Sequence, residues 1–190
     1  IACPYTAQLN QSAYFTYLRS VKKSIELFRE ENIPIQAELS VLQQQYGTIA
    51  GKMTIQFKEQ EYTLQQAAQF LENPDRAIRE EVYLKIQERR LQDQTSMHDL
   101  FSSLIQKRNQ VAINAGFANY RDYKFQELGR FDYAKEDCYQ FHDAIKLHVL
   151  PLIDKIYARK KKKLGLTTLK PWDTEAEPAG IAPLKPFTDG

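Results

Sequence analysis

The sequence predicts a mainly α-helical chain, an antiparallel array of helices carrying one small β-hairpin. Three observations lead there. Apolar residues recur at steps of three and four over most of the chain. Only one stretch, near residues 52–64, changes to alternation of period two. Glycine is scarce, at 7 of 190 residues, while aromatic residues reach 12%, a composition foreign to Gly-rich barrels and propellers.

The first helix is expected within residues 11–31, where Leu18, Val21, Ile25 and Phe28 form one apolar stripe. Asn32 and Pro34 should break it. Residues 34–46 repeat the pattern with Ile35, Leu39, Leu42 and Tyr46, and Gly47 is placed to stop that helix. Lys52 to Phe57 then alternates polar with apolar residues, and Glu61-Tyr62-Thr63-Leu64 follows a short polar turn, so a hairpin is expected over about residues 52–64. Thr63 and Gln66 form a capping box for a short helix with Leu64, Ala67, Ala68 and Leu71 on one side.

Asn73-Pro74-Asp75 is the next start signal: a capping side chain, a proline at the first helical position, and a negative charge where the helix dipole favours it. Arg76 and Glu80 stand at i, i+4, the spacing of an exposed ion pair. Helical periodicity continues through Ile78, Val82, Ile86, Met97, Leu100, Leu104 and Val111 to Ala115, and Gly116 caps it. A short helix over 119–128 ends at Gly129. The last long helix is expected from about Lys135 to Lys163, with Phe141, Ile145, Leu152 and Ile156 inward and a kink at Pro151. Leu164-Gly165-Leu166 closes it as a C-terminal cap. After Trp172 the Pro- and Ala-rich composition is that of a linker.

Hydrophobic residues make up 43% and charged residues 26%, as in an ordinary globular domain and unlike disordered or membrane chains. A single unit of 190 residues buries about 70% of its unfolded surface, so its core needs neither disulfide nor metal. Lys and Arg number 26 against 24 Asp and Glu, for a net charge of +2, which argues against nucleic acid as a partner. No apolar run reaches the ~18–20 residues of a membrane span, so no membrane partner is expected. Cys3 and Cys138 are far apart and neither belongs to a Cys-x-x-Cys pair. Lone thiols fit a reducing, cytoplasmic compartment, with one long-range disulfide left open. A start at Ile1 without an initiator Met, and a loop-like end over Pro183 to Gly190, suggest a piece of a longer protein.

Motifs for chemistry are sparse. Tyr46-Gly47-Thr48-Ile49-Ala50-Gly51-Lys52-Met53 superficially resembles a phosphate loop. Its spacer is one residue short, Met53 replaces the Ser or Thr that would hold magnesium, and a strand follows it, so a helix stop and a hairpin explain it better. No Gly-x-Gly-x-x-Gly or Gly-x-Ser-x-Gly occurs. None of His98, His142 and His148 opens a His-Glu-x-x-His. Cys138 and His142 share a helical face at i, i+4, but two ligands are half a zinc site at best, and a buried thiol beside an amphipathic histidine is the plainer account. The run Arg159-Lys160-Lys161-Lys162-Lys163 could touch phosphate or anionic lipid, yet cations also belong at a helix C-terminus, and a solvated helix end is the plainer account. Phe117, Tyr120, Tyr123, Phe125, Phe131 and Tyr133 could line a peptide groove or fill a joint between helices; packing is the simpler reading.

Several stretches, taken in order, resemble the oligoendopeptidase F family of thimet-oligopeptidase-like zinc metallopeptidases. They are Leu42-Gln43-Gln44-Gln45-Tyr46-Gly47, Gly51-Lys52-Met53-Thr54, Asn73-Pro74-Asp75-Arg76 with Arg79-Glu80-Glu81, and Arg108 through Phe117 followed by Asn119-Tyr120-Arg121-Asp122-Tyr123. Leu128 through Tyr133, Glu136-Asp137-Cys138 and Leu169-Lys170-Pro171-Trp172-Asp173 complete the set, over roughly residues 40–175. The resemblance implies a larger two-lobed, neurolysin-like metallopeptidase in which short peptides lie in a deep channel. Its zinc would be held by the histidines of His-Glu-x-x-His and a further Glu, with the motif's Glu activating water. No position here matches those residues, so no catalytic or metal residue is assigned to this chain and no substrate-binding residue is known. The expected layout is a helical N-terminal lobe over 1–175 and a linker over 176–190 toward a catalytic domain absent from this chain. Alone, the piece should be inactive and should expose an apolar face where the catalytic lobe packs. The alternative is a stand-alone helical protein-interaction module without catalytic activity.

Overall fold

The computed structural model describes Tyr5, residues 8–10 and residues 12–178. Cys3, and the expected linker from residue 179 onward, lie outside the described residues. The chain is mainly helical with one two-stranded hairpin. It forms two compact units, one from residues 1–47 and 98–137, the other from residues 48–97 and 138–190.

In the first unit, α1 spans Phe15–Leu27, shorter than its apolar pattern. Leu27 is buried and Leu18 and Val21 are half-buried, but Ile25 and Phe28, expected inward, are exposed. Arg19 and Lys23 lie in line with Leu27 at steps of four, and Arg19 binds Asp132 and stacks on Phe131, so this mixed edge packs instead of the apolar stripe. The next helix, α2, runs Asn32–Gly51. Pro34 does not break it, because in the first turn the missing N–H had no intrahelical partner to lose. Nor does Gly47 stop it. A glycine inside a helix costs only about 1 kcal/mol relative to Ala, and the stop comes where Lys52 and Met53 N–H tighten onto the Ile49 and Ala50 carbonyls. Asn32 is buried at the start of α2; its Nδ2 donates to the Val111 carbonyl at 3.0 Å and its Oδ1 accepts from Asn114 Nδ2 at 2.8 Å.

Helix α5 spans Gln94–Asn114 and buries Leu100, Leu104, Val111 and Ala112. Gly116 ends it at φ +87°, which lets the Phe117 N–H reach back to the Ala112 carbonyl at 2.9 Å. Helix α6, Tyr120–Glu127, starts where Asn119 accepts from the Asp122 N–H at 3.0 Å.

In the second unit the hairpin pairs β1, Thr54–Phe57, with β2, Gln60–Thr63, in antiparallel register Thr54 to Thr63. Ile55 and Phe57 point into the core with Ala67, Val82 and Ile86, and Phe70 meets Phe57 edge-on at 4.9 Å. The turn is Lys58-Glu59, both left-handed at φ 49° and 64°. The expected capping box starts α3, Leu64–Ala68: Thr63 accepts from the Gln66 N–H, and Gln66 accepts from the Thr63 N–H. Helix α4, Arg76–Gln92, is capped by Asp75 rather than Asn73; Asp75 accepts from the Ala77 N–H at 2.9 Å, and Asn73 accepts from the Asp75 N–H at 2.9 Å. The continuous helix expected as far as Ala115 breaks at Asp93, a poor helix former whose carboxylate is drawn onto Arg89 at 2.5 Å.

The chain from Lys135 to Lys163 is α7, Lys135–Ala144, one wide turn of i to i+5 bonds over Ile145–Val149, and α8, Leu150–Lys163. The wide turn lies just before Pro151, whose ring and missing N–H disturb a regular ladder. The inward assignment fails here: Phe141 is 65% exposed, Leu152 55% and Ile156 58%, and only Ile145 is half-buried. Gly165, at φ +66°, closes α8 with the Leu166 N–H bonded to the Lys161 carbonyl, as the sequence indicates. Packing persists past Trp172: Asp173 and Ala176 are fully buried.

Candidate functional site

The most tightly built polar group in the second unit is centred on Asp173. Its carboxylate accepts from Arg76 Nε at 3.0 Å and Arg76 Nη2 at 3.0 Å, from Arg79 Nη2 at 2.9 Å, and from the Lys170 N–H at 2.9 Å. Arg79, 3% exposed, spends its other donors on the carbonyls of Asn73, Pro74 and Trp172. Arg76 also lies over the Trp172 ring at 5.8 Å, and Tyr83 packs against that ring at 5.6 Å. Burial pushes the Asp173 carboxyl up, but the hydrogen bonds from Arg76, Arg79 and Lys170 outweigh it and hold the group at about 2. Arg76 therefore pairs with Asp173 rather than making the expected surface pair with Glu80. The clamp ties the start of α4 to a segment nearly a hundred residues away. It is structural chemistry: every polar atom of the carboxylate is occupied, and nothing is left to bind.

In the first unit the six aromatic residues between 117 and 133 gather around α6. Phe117 meets Tyr123 at 5.7 Å, Tyr120 meets Tyr123 at 6.0 Å, and Phe125 meets Tyr133 at 5.4 Å. Phe131 lies beneath the Arg19 guanidinium at 4.6 Å, and Arg19 binds both oxygens of Asp132 at 2.7 and 3.1 Å. Tyr123 is buried, and that burial, together with Glu127, whose carboxylate accepts from its hydroxyl at 3.3 Å, raises the phenol to about 12. Packing is thus the role of Tyr123. Tyr133 is different, being 47% exposed. It borders an open hollow of about 530 Å³ with Phe117, Phe125, Arg130 and Lys135, while a second hollow of about 370 Å³ lies against Leu27, Asn32 and Tyr123.

The metal candidates do not converge. His98, His142 and His148 are exposed, and Cys138 is a half-buried free thiol rather than a buried one. Among the described residues no three His, Cys, Asp or Glu side chains are grouped to hold a metal ion, so these residues do not fit a zinc site. The basic run divides: Lys160 bonds the Thr174 carbonyl and pairs with Glu177 at 3.6 Å, while the other four cations are exposed at the end of α8. Gly47 and Gly51 lie within α2, which leads into β1, so they form no phosphate loop. No helix among the described residues is long and apolar enough to cross a membrane.

Asp173, Arg79 and Asn32 carry these networks without having been singled out for a role. Two of them left a signal. Arg79 interrupts the apolar stripe of Ile78, Val82 and Ile86 with a charge, and both ends of the clamp fall in stretches that carry the family resemblance. A profile of peptidase family M3 matches residues 69–186, which includes both ends. The chain belongs to peptidase family M3. Three solved structures share its fold. A chain described as oligoendopeptidase F superposes with TM-score 0.87 at 22% identity, over 92% of this chain and 31% of its own. Another so described, from Bacillus anthracis strain Ames, gives TM-score 0.86 at 18% identity, over 94% of this chain and 33% of its own. PZ peptidase A, solved with an inhibitor, gives TM-score 0.85 at 22% identity, over 90% and 31%. This M3 chain thus spans about a third of the length of the solved chains it matches. A search of curated proteins finds no match.

Proposed function

We propose that this M3 chain is the N-terminal, channel-forming part of a zinc-dependent metalloendopeptidase that hydrolyses short peptides. The observation that carries the reading is the family match over residues 69–186, which spans the Asp173 clamp and the aromatic joint. Zinc would be held by ligands elsewhere on the polypeptide, since the described residues offer no fitting donor set. The metal supplies a polarised carbonyl and an acidic water when bound. The residues present here do the positioning. The Asp173 clamp locks the start of α4 to the Trp172 segment, and the α6 aromatics fix the turn that carries Tyr133. Tyr133 and the hollow beside it are the part of this chain best placed to meet a peptide side chain. The linker expected over 176–190 would join this part to the catalytic domain, and the Cys138 thiol, free among the described residues, suits the cytoplasm.

The test is to express the full reading frame and the 190-residue chain side by side and assay quenched fluorogenic peptides. Cleavage by the longer protein that a chelator abolishes and zinc restores, with none by the short chain, supports the reading. Chelator-resistant cleavage by the short chain refutes it. So does a natural product that ends at this length, which would favour a stand-alone interaction module.

A further inference from the structure

The helical stretch from Lys135 to Lys163 contains no buried residue. That is unusual for a helix of this length, because helices in proteins draw most of their stability from packing an apolar face. Val149, Leu152 and Ile156, at steps of three and four, are all exposed on it, and Phe141 and Leu147 are 65% and 68% exposed upstream. A continuous apolar surface of this kind marks an interaction site. The flank is basic: Arg159, Lys161, Lys162 and Lys163 are exposed, and among the described residues none of their side chains has an acidic partner, unlike Lys160.

We infer that this face of α8 and the wide turn before it is the seat of the remaining part of the same polypeptide, which would cover it with an apolar surface rimmed by Asp and Glu. The inference rests on the peptidase reading above. Two facts select this occupant. The face lies wholly inside the segment that matches the family, so it belongs to the M3 portion of the chain rather than to an appended tail. The solved chains it matches are about three times as long as this chain, so a protein built to their length has a large further portion available to cover the face. The unpaired cations give the covering surface its charge.

Hydrogen–deuterium exchange on the full-length protein and on the 190-residue chain tests this directly. Amides over 141–157 should exchange about tenfold or more slowly in the longer protein, because the covered helix opens less often. Ile156→Glu should lower the melting temperature of the full-length protein and leave that of the short chain unchanged, since the side chain is already in water there. Equal exchange in both proteins overturns the inference. So does a short chain that dimerises in light scattering, loses the dimer on Ile156→Glu, and shows no added protection in the long form; the occupant is then a second copy. Peptide cleavage is scored separately: full protection without zinc-dependent activity sinks the peptidase reading, and activity without protection sinks only this one.

Discussion

Replacing Asp173 separates the charge of the clamp from its shape. The carboxyl lies at about 2 in the folded chain against 3.8 ordinarily, and at about 1.4 kcal/mol per unit its ionisation stabilises the fold by at most roughly 2.5 kcal/mol. Arg76 is 40% exposed, so solvent screening reduces this toward about 1 kcal/mol. Deleting the group costs more than that, because Arg79, 3% exposed, would keep a buried charge with only carbonyls for company. Asp173→Ala should therefore destabilise by about 3–5 kcal/mol, the range for stripping one partner from a buried pair. Asp173→Asn keeps an acceptor for Arg79 Nη2 and should cost about 1.5–3 kcal/mol. In urea titrations followed by circular dichroism, the midpoints should fall in the order wild type, Asn, Ala. The pH dependence has a definite sign. A depressed carboxyl contributes its full stabilisation above 3.8 and loses it as pH falls toward about 2, so the gap between wild type and Asp173→Asn should close over that window. Two variants within about 0.5 kcal/mol of wild type, the size of an ordinary surface substitution, or a gap indifferent to acid, would refute the clamp.

The hairpin turn holds Lys58 and Glu59 left-handed, where Asn-Gly is preferred and a side chain costs about 1–2 kcal/mol; Lys58→Asn with Glu59→Gly should raise the urea midpoint by an amount equivalent to about 1 kcal/mol. Asn32→Leu leaves the buried Val111 carbonyl without the side-chain donor, and thermal melts should show a loss of about 1–3 kcal/mol. Tyr133→Ala, at an exposed position, should lower peptide turnover by the full-length enzyme while its melting temperature stays put; a changed melt with unchanged turnover would assign Tyr133 to packing. Tyr123 should remain protonated until about pH 12 in a spectrophotometric titration, and Tyr123→Phe should remove that late step.

Local signals in the sequence were reliable wherever the structure is decided within a few residues. The period-two run became the hairpin, Thr63 and Gln66 formed their box, and Gly116, Gly129 and Gly165 all took the positive φ that closes a helix. Signals whose outcome depends on a neighbour were not. Gly47 looked like a stop, yet a glycine only lowers helix stability, and nothing at that point offered the chain a better alternative. Asn73 looked like the cap because it precedes a proline, but Asp75, two residues on and next to the first helical residue, is the one placed to receive the Ala77 N–H. Asp173 was invisible as a buried group because a carboxylate is a surface residue by default, and only the two arginines on α4, nearly a hundred residues earlier, make its burial tolerable.

The two failed apolar stripes have different causes, and the difference is informative. On α1, Ile25 and Phe28 are exposed because another edge of the helix is occupied: Arg19 is held by Asp132 and Phe131, and Leu27 is buried in line with it. The helix has a packed side, and it is not the one that hydropathy selects. On α8 the competing edge is weaker: Ile153 and Lys160 are only half-buried, Lys160 bonding the Thr174 carbonyl, and no residue between Leu150 and Lys163 is fully buried. A stripe that loses to a better contact says little about partners. A stripe left exposed on a helix with no buried residue retains an unmet need for apolar cover, so Leu152 and Ile156, expected inward and found exposed, are where the proposed contact would form.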